Sequence, residues 1–536
     1  MAGAQAATAG AGVGPTGGST ARPVDPPMKT QTIIAFFAMV FGMFMSILDI
    51  QVVSASLSDI QAGLSASSDE ISWVQTSYLI AEVIMIPLSG FLARLLSTRW
   101  LFAGAAAGFT ISSFLCATAT SMDQMMVYRA IQGFIGGGMI PSVFSAAFTI
   151  FPRSKQAIVS PIIGLVATLA PTIGPTIGGY LTEYMSWHWL FLINIIPGII
   201  VTITTGLLID FDKPNLSLFK TFDWYGLISM AGFLGCMEYA LEEGPNNDWF
   251  ADRPVLICTI ICITSGLFFF WRVLTAANPI VSLSAFRDRN FATGSLFSFI
   301  LGIGLYGLTY VYPQYLGIVR HYNSLQIGET MFVSGLTMFF MAPITGILSR
   351  KIDLRILMFV GLTLFASGTW VATGLTKDWD FWELFLPQVL RGMGLMMSMV
   401  PITNIALGTL NPAEMKNASG LFNLTRNLGG AVGLALINTA YNARLDLHLQ
   451  RLHDGANWSK SYTLEYMQTL QNAFSSLGDT AQTAALKQMS LLVRQQASVM
   501  SFADTFFLLT CMFGLTACFI VILKKPTAMG GGGGGH

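Results

Sequence analysis

The stretch FGMFMSILDIQVVSASLSDI, residues 41–60, sets one carboxyl, Asp49, between Leu48 and Ile50 in a run apolar enough for hydrocarbon. A second run, MMVYRAIQGFIGGG, carries an equally stranded guanidinium, Arg129. A charged side chain at the centre of a membrane helix costs about 3 kcal/mol or more, so such residues face a cavity or one another and mark ion or substrate pathways. Burial favours the neutral form of an acid and a nearby guanidinium favours its charged form. An acid whose neighbourhood changes as helices move therefore takes up a proton in one state and releases it in another. Asp49 and Arg129, with the further intramembrane acids Glu82, Glu238 and Glu242, are the candidates for that proton chemistry. The alternative reading is an ion pair that only fixes helix packing. Gln51, Gln132, Tyr306, Tyr310, Gln314, Arg391 and Arg426 are the candidate lining of a substrate cavity. The tyrosines come from LYGLTYVYPQYLG (305–317), where aromatic walls suit greasy ligands, although Tyr312 and Tyr315 equally fit a membrane-interface belt.

These residues need elements to hold them, and the composition says which. The 536-residue chain is 53% hydrophobic and 10% charged, against about 25% charged in soluble domains. Its formal net charge is zero, which leaves no electrostatic case for nucleic acid. A crossing needs about 20 mostly apolar residues. Spans are predicted at 32–57, 72–93, 100–119, 124–150, 157–181, 189–209, 223–242, 254–274, 291–317, 327–349, 354–374, 382–408, 418–441 and 501–523. Fourteen crossings put both termini on one side. That side carries most of the Lys and Arg, while the short opposite loops hold only Arg253, Arg320 and Lys377. The asymmetry predicts cytoplasmic termini. The expectation is an all-α integral membrane protein with two six-helix bundles, 31–210 and 290–525, and a central helix pair at 222–275. The Ala/Gly-rich residues 1–30 are expected to be a disordered tail, and 526–536 a tag remnant.

The bundles are also related in sequence. PLSGFLARLLSTRWL (87–101) matches PITGILSRKIDLRIL (343–357) at an offset of 256, and IQGFIGG faces LRGMGLM so that Gly133 aligns with Gly392. Repeat folds of this kind place the substrate at the midplane between the halves. APTIGPTIGGYL (170–181) offers Gly174, Gly178 and Gly179 as a smooth helix face, with Pro171 and Pro175 to bend it. That combination, Pro175 included, predicts a pivot between bundles. Gly90, Arg94, Arg99, Gly346, Arg350 and Arg355 close spans at the basic face, as topology anchors or as a cytoplasmic gate. The 442–500 segment is expected to lie outside as a long loop with two amphipathic helices, able to cover the mouth, lie on the membrane or dock a partner.

Other chemistries lack their residues. No GxxxxGK[ST] run is present to bind ATP, and no HExxH or nucleophile elbow appears. Cys258 and Cys262 share a helix face without a third ligand, so no metal site and no cofactor is expected.

These motifs resemble the fourteen-helix drug:proton antiporters of the EmrB type within the major facilitator superfamily, over residues 30–525. LDIQVVSASL (48–57) resembles the first-helix motif of that branch, and RAIQG (129–133) the fourth-helix motif whose Arg assists proton transfer. GPTIGG (174–179) is similar to the fifth-helix antiporter motif, and GFLARLLSTRWLF (90–102) to the loop after the second helix. In that loop Arg94 stands where the wider superfamily carries Asp. WHWLFLINIIPG (187–198) and LEEGPNNDWF (241–250) resemble the branch too. The resemblance implies alternating-access export of amphipathic toxic compounds against protons across the inner membrane. It also implies an EmrA-type periplasmic adaptor and a TolC-type outer-membrane channel as partners. Two other functions compete on the residues alone: an uptake or facilitative permease for a metabolite or siderophore, and a membrane sensor or scaffold.

Overall fold

The computed structural model describes residues 29–522 apart from 55, 68–69, 277, 412–413 and 457–459. The predicted tail before residue 29 and the tag remnant lie outside the described residues. All regular structure among the described residues is helical. The first half comprises α1 (Thr30–Ser54), α2 (Leu57–Leu64), α3 (Trp73–Ala117), α4 (Met122–Gly136), α5 (Met139–Ile150), α6 (Arg153–Tyr184), α7 (Trp189–Leu192) and α8 (Ile195–Leu208). Two helices follow, α9 (Trp224–Glu243) and α10 (Arg253–Thr275). The second half comprises α11 (Arg289–Ile318), α12 (Ser324–Lys351), α13 (Leu354–Ala372), α14 (Phe381–Leu407), α15 (Met415–Gly455), α16 (Ser461–Ala473) and α17 (Ala481–Cys518).

Eleven helical segments among the described residues are long and apolar enough to cross a membrane. One of them, α3, runs for 45 residues, about twice the ~20 that one crossing needs. It bends at Ser97, whose φ of 74° and ψ of 158° are not helical. The break matches the sequence repeat: 256 residues later Asp353 separates α12 from α13 and caps α13 by accepting from the Arg355 backbone N–H. Polar caps start other helices in the same way. Asn323 with Gln326 opens α12 and Asp380 with Glu383 opens α14 as capping boxes, satisfying backbone N–H groups that the first turn leaves free.

Glycine sets how closely the helices pack. A Cβ on Gly133 would strike the backbone carbonyl of Tyr78, and one on Gly392 would meet that of Ser334 at 2.7 Å. Tyr78 and Ser334 are again 256 apart, so both halves seat their second helix on their fourth through a glycine. In hydrocarbon such backbone proximity replaces the hydrophobic drive.

The 442–500 segment departs from the expected loop. α15 continues unbroken to Gly455, and α17 already starts at Ala481. At 41 residues α15 spans about 60 Å, twice the ~30 Å hydrocarbon thickness. The polar sequence after Ala440 ends the apolar run but contains no Gly or Pro until Gly455, so nothing ends the helix. The two predicted amphipathic stretches are α16 and the first part of α17. His448 Nε2 and Arg444 Nε, on α15, both reach Asp504 Oδ2 on α17, at 2.9 and 3.5 Å.

Candidate functional site

The acid and base singled out by their types meet. Arg129 Nη1 donates to Asp49 Oδ2 at 2.6 Å, with both side chains fully buried. α3 brings Tyr78 beneath the guanidinium, 4.3 Å from its carbon, and the Val74 carbonyl, which accepts from Arg129 Nε at 3.0 Å. The other carboxylate oxygen, Oδ1, accepts from Asn194 Nδ2 at 2.7 Å and from Gln132 Nε2 at 3.2 Å. Gln132 also accepts from Arg129 Nη1 at 2.8 Å and donates to Ser113 Oγ at 2.8 Å. Three helices, α1, α3 and α4, and the short α7–α8 link thus converge on one charge pair. A buried pair needs its remaining donors and acceptors matched, and here all but Arg129 Nη2 among the atoms of the pair have a hydrogen-bond partner.

Separate from that pair lies a cavity of about 410 Å³ between the halves. Gln51, Tyr306, Tyr310 and Gln314 line it as expected, and so do Glu82, Glu238 and Glu242. Its walls run from mid-helix residues such as Glu82 and Asn427 to the helix ends around Leu57, Gln75 and Ile318, away from the basic face. The helix α9 forms one wall, with α3 and α15 on either side of it.

Three expected cavity residues are elsewhere. Gln132 belongs to the Asp49 network. Arg391 is buried inside the second half, donating to Thr309 Oγ1 at 2.8 Å and Gln388 Oε1 at 3.3 Å over the Tyr312 ring. Arg426 lies behind the cavity wall, bound to Asn423 Oδ1 at 2.6 Å and facing the Phe144 ring. Apolar periodicity gives a residue's depth in a span but not which way it faces once neighbouring helices are added. Tyr312 and Tyr315 are likewise not interface residues: they are buried against Phe506 and Phe502 of α17.

The glycine stripe of α6 also has a different partner. Cβ atoms at Gly174 and Gly178 would strike Gln51 and Val52 of α1, within the first half. Gly179 is buried on the same helix, and Pro175 lines the cavity. The contact of α6 with the second half uses glycines of α12 instead, Gly328 against Thr176 and Gly335 against Leu169 and Thr172. α6 remains one helix through Pro161, Pro171 and Pro175.

At the basic face the halves touch. A Cβ on Gly90 would lie 2.8 Å from the Lys416 carbonyl, and Lys416 Nζ donates to Ala93 O at 2.9 Å and Asp212 Oδ2 at 2.5 Å. The same Asp212 oxygen accepts from Thr98 N and Oγ1, both at 2.8 Å. Deeper on that side, Ser160 Oγ donates to Asn404 Oδ1 at 2.6 Å across the seam. Of the expected gate, Gly90 is in the seam and Arg94 adjoins it against the Phe91 ring. Arg99 instead ties α3 to α8 through Gly206 O at 2.6 Å, Arg355 pairs with Asp353 at 3.3 Å, and Arg350 is exposed. Gly346 is buried on α12. Asp212 and Lys416 escaped the sequence reading because nothing local links residues 204 apart.

Two related helical halves around a central cavity, with charge buried in hydrocarbon-length helices, define a membrane transporter. The chain belongs to the Major Facilitator Superfamily, whose profile matches residues 39–434. Among its relatives, the colistin resistance protein EmrB of Acinetobacter baumannii is 42% identical, over 93% of this chain and 97% of its own. The fatty acid resistance protein FarB of Neisseria gonorrhoeae is 30% identical over 95% and 99%, and the multidrug export protein EmrB of Escherichia coli K12 28% over the same shares. The solved structure of the human organic anion transporter MFSD10 shares the fold with a TM-score of 0.58 at 14% identity, covering 90% of this chain and 100% of that one. The family and its solved neighbours are transporters, not enzymes, and the chain is a multi-pass membrane protein of their type.

Proposed function

We propose that this protein is a proton-coupled exporter of amphipathic toxic small molecules. In this reading it crosses the bacterial inner membrane fourteen times with both termini cytoplasmic. The count takes the eleven apolar segments, the second limb of α3 beyond Ser97, and the charge-bearing α9 and α15. The observation that carries the reading is the buried Asp49–Arg129 pair, one helix away from the cavity. Val74, Tyr78 and Glu82 follow one another at four-residue steps along one face of α3. The first two hold Arg129, and Glu82 lines the cavity. A shift of α3 therefore alters the ion pair and the substrate wall together. The resistance and export named for the relatives above supports outward movement.

The test uses purified protein in proteoliposomes with a fluorescent amphiphile. An acidic interior is expected to drive its accumulation inside, and nigericin, which collapses the pH gradient, to abolish it. Flux that ignores the pH gradient identifies a facilitative permease and overturns the reading. Export across a double envelope also supports the adaptor and outer channel that the sequence resemblance implies. Their expected contact is the projecting helices, where Tyr462, Tyr466 and Leu491 stand exposed. A photo-crosslinker at Tyr466 is expected to capture an EmrA-type adaptor when the two are co-expressed. Capture from Trp271, on the outside of α10, with none from Tyr466 would contradict that placement.

A further inference from the structure

We propose that the cavity binds organic cations, their charge met by three carboxyls: Glu82 from α3, and Glu238 and Glu242 from α9. The helix α9 is then part of the binding site and not only a structural addition between the halves. The inference deepens the export reading and rests on it for the direction of transport, though not for binding itself.

Charge is distributed one-sidedly around the cavity. No Lys, Arg or His lines it among the described residues, and its other polar groups are amides, hydroxyls and phenols. Glu238 and Glu242 lie four apart, on one face of α9. Glu82, 3% exposed, completes the set from the facing helix, and its Oε1 has no hydrogen-bond partner. An unpaired buried carboxylate is a costly arrangement unless a proton or a cation neutralises it. Tyr306 and Tyr310 add ring faces, which attract cations once water is excluded. Neither guanidinium that acts on Glu82 is in the lining: Arg129 is paired with Asp49, and Arg426 is held to Asn423.

α9 is fastened in position on both sides. Thr76 of α3 donates to Glu243 Oε1 at 3.5 Å, and the turn after α9 is tied to α15 by Trp249 Nε1 donating to Thr439 Oγ1 at 3.1 Å and Asn442 Nδ2 to Pro245 O at 3.2 Å. The glutamates are therefore held against both halves, and relative movement of the halves changes their enclosure.

Like charges in one enclosure repel, so in this proposal protons and the cation compete for the three carboxyls. A monovalent cation entering releases one proton to the bulk, which conserves charge and forms no covalent bond. The groups that bear on this exchange are Glu242 and Glu243 on α9 itself, Glu82 from α3, Tyr306 and Tyr310 from α11, Arg426 from α15, and the ion-paired Asp49 and Arg129 from α1 and α4. Of these Arg129 and Arg426 are cationic, and both act on Glu82.

Equilibrium binding to purified protein, with no gradient, separates this inference from the export reading. The probes are tetraphenylphosphonium and its charge-inverted isostere tetraphenylborate. The expected result is saturable binding of the phosphonium alone, weakening as pH falls, and at least tenfold weaker in E238Q/E242Q. The borate comparison on the unaltered protein keeps the test valid if that variant misfolds. Equal affinity for both probes, or preference for the borate, overturns the cation site. Gradient-driven transport of uncharged amphiphiles with no phosphonium binding would overturn it too, while the export reading stood.

Discussion

Asp49→Asn is expected to reduce gradient-driven export to that of protein-free vesicles while substrate counterflow, which needs no proton, continues. Asparagine keeps the shape of the side chain and still offers one oxygen to Arg129, while its amide nitrogen faces the Asn194 and Gln132 donors that Oδ1 accepted from. It cannot bind and release a proton. Removing one partner of a buried ion pair costs about 3–5 kcal/mol, and the retained hydrogen bond offsets part of that, so a lower Tm is expected alongside the transport loss. The double variant D49N/R129Q removes the unpaired guanidinium and is expected to recover stability without recovering coupling. That pattern distinguishes a proton-carrying acid from one that only holds α1, α3 and α4 together. Gradient-driven export in D49N at the unaltered rate would sink the mechanism. Counterflow and stability lost together, and both regained in the double variant, would assign the pair to packing.

Asp49 and Arg129 were legible in the sequence because opposite charges in hydrocarbon have few stable partners other than one another. Their polar neighbours were less so. Asn194 sits in LFLINIIPG as a single amide in an apolar run, a signal of the same kind but weaker, and it donates the 2.7 Å bond to Asp49 Oδ1. Arg391 and Arg426 show the limit from the other direction. Both are buried as their types and depth predict, but each points at a helix neighbour and not at the cavity. The glycines of α6 were recognised as a contact surface, and which helix they contact depended on tertiary placement. Spans read from hydropathy gave the membrane-embedded helices within a few residues, and missed that α15 and α17 continue past the apolar segments. Hydrophobicity marks where lipid ends, whereas helix termination needs a cap or a breaker.

Joining Ser160→Cys to Asn404→Cys is expected to stop transport when oxidised and restore it on reduction. The native side chains meet at 2.6 Å, Ser160 on α6 in the first half and Asn404 on α14 in the second, on the closed side of the cavity. A disulfide spans Cα separations of about 4.4–6.8 Å, and the direct contact of the two native side chains brings the pair near that range. Alternating access requires that seam to part so that the cavity opens to the basic face, and a covalent link forbids it. Noncovalent contacts hold the same seam in the native protein. The Lys416–Asp212 pair is only partly exposed, at 19% and 15%, and Asp212 also accepts from Thr98. Lys416→Ala leaves Asp212 its Thr98 donors but removes the tie to the second half. In the cysteine-pair background it is therefore expected to slow disulfide formation several-fold by raising the population with the seam apart. Cysteines that crosslink to completion while gradient-driven transport continues would exclude rocking of the halves as the transport step. An unchanged crosslinking rate in K416A would show that the Lys416–Asp212 contact does not set the balance between the two states.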